Sequence, residues 1–221
     1  LLLGRWSADM EGDRGVLATI AGTTYDAVNT NVVRWSNEDD PPVRCTGTKW
    51  HLASEEDAWS LLGRHLTRDD LDRFHNVAID VLNRPDPSFE LPDDRRWMAG
   101  VLGKRPRHSN MLRAGIANTL AVIGARGHSI QITGGVTIGG YAGACVRKIL
   151  EDAGWKVWAS LPLTLLAEAA PDEFLAAVDR GLAGDQPILL ELFREKGDAL
   201  FSSPAHTQLL FALETLAWSD A

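Results

Sequence analysis

Apolar side chains return at helical spacing along almost the whole chain, and that periodicity restricts it to a mainly α fold. Tyr25, Val28, Val32 and Trp35 stand at i, i+3, i+7 and i+10, the stripe that one face of a helix turns toward a core. Leu71, Phe74, Ala78 and Val81 repeat the pattern behind Thr67, as do Ala58, Leu61, Leu62 and His65 behind Ser54. Both hydroxyl residues are N-cap types, and Glu55, Glu56 and Asp57 sit where the helix dipole favours carboxylates. Glu11 and Asp13 take the same place before Val16, Leu17 and Ile20. Further helices are expected over 95–102, 109–123 with Ser109 as cap, 141–153, 156–169, 171–182, 187–196 and 206–218.

The pattern breaks in three places. Val43, Cys45, Trp50 and Leu52 alternate about Thr46-Gly47-Thr48, which reads as a short hairpin. Two helices followed by a hairpin suggest a winged-helix-like module over 1–66, with an irregular HEAT-like helical array over 67–221. The segment 84–92 carries Pro85, Pro87 and Pro92, and is either a linker or a loop packed across the surface. A glycine-rich gap is expected over 124–140. The triplets Thr119-Leu120-Ala121, Leu165-Leu166-Ala167 and Thr215-Leu216-Ala217 are spaced by 46 and 50 positions, which fits degenerate two-helix repeats.

Composition limits the function classes. The 221 residues with a 45% hydrophobic share can fill a core. A net charge of −8 argues against a dedicated nucleic-acid binder, since that affinity comes from phosphate neutralisation. Through Leu66 six Lys or Arg face ten Asp or Glu, so presentation of Asn29, Asn31 and Arg34 to base edges is disfavoured against a protein-packing role. No run approaches the roughly 20 apolar residues of a membrane span, and no signal sequence is legible. Cys45 and Cys145 make no metal spacing and are read as reduced core thiols, which implies the cytoplasm. A chain that opens on Leu1, Leu2 and Leu3 is read as a fragment of a larger protein.

Few residues point to chemistry. The run Thr133-Gly134-Gly135-Val136-Thr137-Ile138-Gly139-Gly140-Tyr141-Ala142-Gly143 precedes a helix but lacks the Lys-Ser/Thr of a phosphate loop, so a connecting loop is the expectation. Arg95, Arg96, Lys104, Arg105, Arg107, His108 and Arg113 form the one concentrated basic stretch. They are the candidates for contact with phosphate or an acidic partner, unless nearby acids such as Asp93 and Asp94 neutralise them. Six scattered histidines give no HExxH and no i, i+4 pair, and no GxSxG elbow or Cys-His arrangement is recognisable. No cofactor and no catalytic residue is assigned. Among the eight tryptophans, Trp155 and Trp158 share a helix face and are read as inter-helix core, with a base-stacking platform as the sharper alternative.

Four stretches carry a family likeness: Thr67-Arg68-Asp69-Asp70-Leu71-Asp72-Arg73-Phe74, Phe89-Glu90-Leu91-Pro92, Leu112-Arg113-Ala114-Gly115-Ile116-Ala117-Asn118-Thr119-Leu120-Ala121, and Ala212-Leu213-Glu214-Thr215-Leu216-Ala217-Trp218. Together they resemble the region following the nucleotide-binding domain in large bacterial STAND-type ATPases, signalling proteins of the kind associated with antiphage defence. The resemblance implies a winged helix that passes the state of an ATPase to helical repeats that sense a trigger. The family's phosphate and magnesium motifs match no position here. The expectation is therefore a non-catalytic interaction and relay module, whose partner is a protein or another domain of its parent. A helical-repeat nucleic-acid binder or base-repair protein is the alternative.

Overall fold

A computed structural model describes residues 1–194 and 204–219. It is mainly helical, with one small antiparallel sheet. Strand β1 (Arg5–Ser7) precedes α1 (Glu11–Ala21) and α2 (Tyr25–Ser36), and β2 (Val43–Thr46) and β3 (Lys49–Leu52) form the expected hairpin. Sheet order is β1-β3-β2. In register, Trp6 lies opposite Trp50, and Cys45 flanks Trp50 on the other side. The Trp6 and Trp50 rings stack at 5.9 Å. Gly47 turns the hairpin at φ 64, a left-handed conformation that favours glycine in so short a loop.

Six helices form two rows. They are α4 (Arg68–Leu82), α5 (Asn110–Arg126), α6 (Tyr141–Leu150), α8 (Leu163–Ala169), α9 (Pro171–Leu182) and α11 (His206–Ser219). In one row α4, α6 and α9 lie side by side; in the other, α5, α8 and α11. The three Leu-Ala triplets thus fall on three neighbouring helices, with Leu120, Leu166 and Leu216 in the core. Helices α3 (Glu55–Leu62), α7 (Trp155–Ser160) and α10 (Leu190–Arg194) complete the described α-helices. One hydrophobic cluster runs from Leu2 beside the sheet to Leu216 on α11.

Caps read from the sequence are seen: the side chains of Ser54, Thr67 and Ser109 each accept the amide three residues on, as Thr24 does at the start of α2. Thr67 and Asp70 make a full capping box. Four expectations change. The 95–102 segment is a 3-10 helix over Asp93–Met98. Helix α5 continues through Gly124 to Arg126, because this glycine serves tertiary packing: a Cβ there would lie 2.0 Å from the Ala169 carbonyl oxygen. The 156–169 helix splits at Pro162, which starts α8. The 187–196 helix is observed over Leu190–Arg194, and its last two positions lie outside the described residues.

Buried except along the half-buried face of Met111, Ala114, Asn118 and Val122, α5 is the centre of the fold, with Leu112, Ile116, Ala117 and Leu120 fully enclosed. Its Gly115 lets the chain before β1 approach, since a Cβ would lie 2.2 Å from the Leu3 carbonyl oxygen.

Candidate functional site

Segment 83–109, which joins α4 to α5, contains only two 3-10 turns, at Pro87–Glu90 and Asp93–Met98. It packs across the surface between the sheet-bearing end and the helical rows. Ser160 Oγ accepts the Asp86 amide at 2.8 Å, and Lys156 donates to the Phe89 carbonyl at 2.9 Å. The Phe89 ring meets Trp155 edge-on at 5.4 Å.

Two clefts open on either side of residues 105–108. The first, about 1280 Å³, lies between α1 and α4 and is lined by Arg14, Gly15, Tyr25, Asn76 and Asp80 among others. The second, about 480 Å³, lies against the amino end of α5, lined by Pro85, Asp86, Phe89, Glu90 and Asn110 among others. Arg105, Pro106, Arg107 and His108 border both.

The six candidate cations are not equivalent. Arg95 is exposed. Arg96 pairs with Asp93 at 2.8 Å and lies 4.9 Å over the Phe89 ring. Lys104 pairs with Glu90. Arg105 and Arg107 are exposed at the cleft mouths, and no ion pair engages either among the described residues. Arg113 leaves the surface set altogether. At 9% exposure, it donates to the carbonyls of Val81 (2.6 Å), Arg84 (3.0 Å), Leu82 (3.2 Å) and Ser160 (2.9 Å). A guanidinium is spent there on the carbonyls that the ends of α4 and α7 leave without helical partners.

Beneath the segment lies an anchor that sequence reasoning missed. The Asp13 carboxylate, fully buried, accepts the Ser7 amide (2.9 Å), the Ser109 amide (2.9 Å) and the Ser109 hydroxyl (2.5 Å). It ties β1 to the cap of α5. Its first-turn position on α1 concealed this, because dipole complementarity already accounted for an acid there. The neighbouring glycine was a faint signal: a Cβ at Gly12 would lie 2.1 Å from the Arg107 carbonyl oxygen. Beside Asp13, His108 is 4% exposed, and neither ring nitrogen has a hydrogen-bond partner. Nδ1 stands 3.9 Å from Asp13 Oδ1, beyond hydrogen-bond reach. Burial, the largest influence, holds this imidazole below its usual pKa, against the opposing pull of Asp13. An unmet buried polar group costs about 1–3 kcal/mol.

The fold also brings together His75 and Cys145, 70 positions apart, with Nδ1 3.2 Å from Sγ. Burial pushes the Cys145 thiol up to about 12, so it is not the thiolate that a nucleophilic dyad requires. The nearby Tyr141 hydroxyl donates to the Leu71 carbonyl at 2.6 Å. Cys45, expected in the core, is exposed on β2. Through Gly140 the glycine-rich run forms a loop pinned by buried Ile130, Ile132 and Ile138, with a bridge between Gln131 and Thr137, and its last three residues open α6. Trp158 packs on Phe174 in the core.

Among the described residues no group of three or more metal-type ligands converges, and no helix is long and apolar enough to cross a membrane. No family model, curated protein or solved structure matches the chain.

Proposed function

We propose that this chain is a non-catalytic interaction and relay module of a larger bacterial signalling or defence ATPase, and that segment 84–113 forms its contact surface. The sheet with α1 and α2 acts as a winged-helix-like packing unit. The pairs α4/α5 and α6/α8 act as degenerate HEAT-like repeats, with α9 and α11 extending the two rows; that arrangement and the triplets on α5, α8 and α11 support this reading. One observation carries the contact surface: Arg105 and Arg107 are exposed and outside any ion pair among the described residues, at the junction of the two parts. Arg96 and Lys104 are engaged beside them. A surface of this kind favours an acidic partner and steers its approach. The resemblance to the region downstream of a STAND nucleotide-binding domain gives the relay its place, with the partner either a protein or another domain of the parent.

The test is fluorescence anisotropy with a labelled oligoglutamate peptide, comparing the chain with an Arg105→Glu/Arg107→Glu variant. The reading expects saturable, salt-sensitive binding that the variant loses while its melting curve is retained. Equal binding by the variant overturns the contact surface. Nucleotide hydrolysis that copurifies with the chain through rigorous purification overturns the non-catalytic assignment.

A further inference from the structure

We propose that an arch over 95–104 anchors one kind of partner, a protein segment that is both amphipathic and acidic, with an apolar stripe bordered by carboxylates. The proposal rests on the reading of 84–113 as a contact surface, and narrows it from a sign of charge to a partner chemistry.

The arch exposes apolar side chains that the fold leaves uncovered. Val101 is 85% exposed, Trp97 63% and Leu102 45%. The Trp97 indole donates to the Asp94 carbonyl at 3.0 Å, so a partner can cover the ring without stranding its N–H. The backbone is equally ready for cover. The amides of Ala99, Val101, Leu102 and Lys104 donate to carbonyls within the arch at 2.8 to 3.0 Å, and Gly103 turns it at φ 76.

Both feet of the arch stand on one turn. Arg96 lies over the Phe89 ring and Lys104 pairs with the adjacent Glu90. Trp155 and Lys156 hold that turn to the body. The shape is therefore set before a partner arrives, which lowers the entropic cost of association.

The charge around the tip then selects the partner. Arg95 on one side, and Arg105 and Arg107 on the other, are exposed and outside any ion pair among the described residues. Over 93–107 the carboxylate left to oppose them is Asp94, since Asp93 is engaged by Arg96. Exposed tryptophan beside arginine is the composition of the residues that dominate protein interfaces. Carboxylates on the partner meet the arginines, and its apolar stripe covers Val101 and Leu102. A polyanion alone leaves those two side chains in water. A narrow segment meets only the arch and its arginines, whereas a broad anionic lipid surface would also face the rest of a chain of net charge −8.

The probes are a labelled helical peptide of about 15 residues, with leucine on one face and glutamate elsewhere, its lysine counterpart, and oligoglutamate of equal charge. Each is titrated by fluorescence anisotropy. The decisive variant is Val101→Ser/Leu102→Ser, which changes exposed side chains and leaves the arginines in place. The proposal expects the leucine-glutamate peptide to bind about tenfold tighter than oligoglutamate. It expects the variant to lose that advantage while its oligoglutamate affinity and melting temperature match the parent. Equal affinity for the two acidic peptides, an advantage unchanged in the variant, or equal binding of the lysine counterpart overturns it. Cosedimentation with phosphatidylserine vesicles that the variant abolishes also overturns it, by assigning the arch to lipid. Oligoglutamate binding without the leucine advantage refutes the arch alone, whereas failure of both acidic peptides refutes the contact surface beneath it.

Discussion

The same substitution at two helical glycines should change stability in opposite directions. A Cβ on Gly124 would stand 2.0 Å from the Ala169 carbonyl oxygen and 2.7 Å from its carbon. Relief to an ordinary 3.4 Å contact requires 3.4 − 2.0 = 1.4 Å of movement. The obstacle is the backbone at the end of α8, packed in the core, so no side-chain rotation can absorb it. Overpacking costs about 1–3 kcal/mol where side chains can adjust, and Gly124→Ala should reach about 3 kcal/mol or more. For a chain of this size that lowers Tm by about 6–12 °C. Gly15, in α1, has nothing within 4 Å of its would-be Cβ, so Gly15→Ala should add about 0.5–1 kcal/mol through helix propensity. Urea unfolding followed by far-ultraviolet circular dichroism measures both. Gly124→Ala as stable as the parent, or Gly15→Ala as damaging as Gly124→Ala, would refute the argument that close approach between α5 and α8 holds the rows together.

Other consequences follow from the buried polar groups. Arg113→Met leaves four carbonyls without their shared donor and should cost about 3–5 kcal/mol in urea unfolding; a cost below about 1 kcal/mol would show that other donors replace it. His108 is held below its ordinary value of 6.5 by burial, so below pH 6.5 the unfolded chain takes up a proton that the folded chain refuses. Its contribution to stability therefore falls as pH drops from 6.5 toward the folded value, and His108→Asn should flatten that part of the pH profile. An unchanged profile would contradict the buried neutral ring. Cys45 is exposed and Cys145 is fully buried, so a thiol reagent should label only Cys45 in the native chain and both cysteines in denaturant. Rapid native labelling of Cys145 would oppose the raised thiol.

What was legible in the sequence was local. Thr67 and Asp70 satisfy each other's backbone amides within four residues, so such a start can be read from its letters, and the single caps at Ser54 and Ser109 are equally local. The hairpin carried its own turn glycine. Strand β1 was invisible because three residues hold no periodicity; Arg5–Ser7 exists through pairing with β3 across more than forty positions. Helix α5 was shortened in the reading because Gly124 looks like a stop signal, while its true role depends on α8. The exposed pair on which the proposed contact surface rests was legible, since Arg105 and Arg107 stand out in an acidic chain. Arg113 could not be separated from them by sequence, because only the fold directs it at the ends of α4 and α7. Asp13 and His108 are joined by tertiary approach alone, and no spacing rule connects them.

The central claim, that helix stacking uses the apolar side chains while 84–113 presents the charge, is tested most directly by mapping amide shifts during an oligoglutamate titration. The account predicts that the perturbed residues gather in 84–92 and 104–113 around Arg105 and Arg107. Perturbation centred on the glycine-rich loop at 133–140, or on the exposed face of α11, would contradict it.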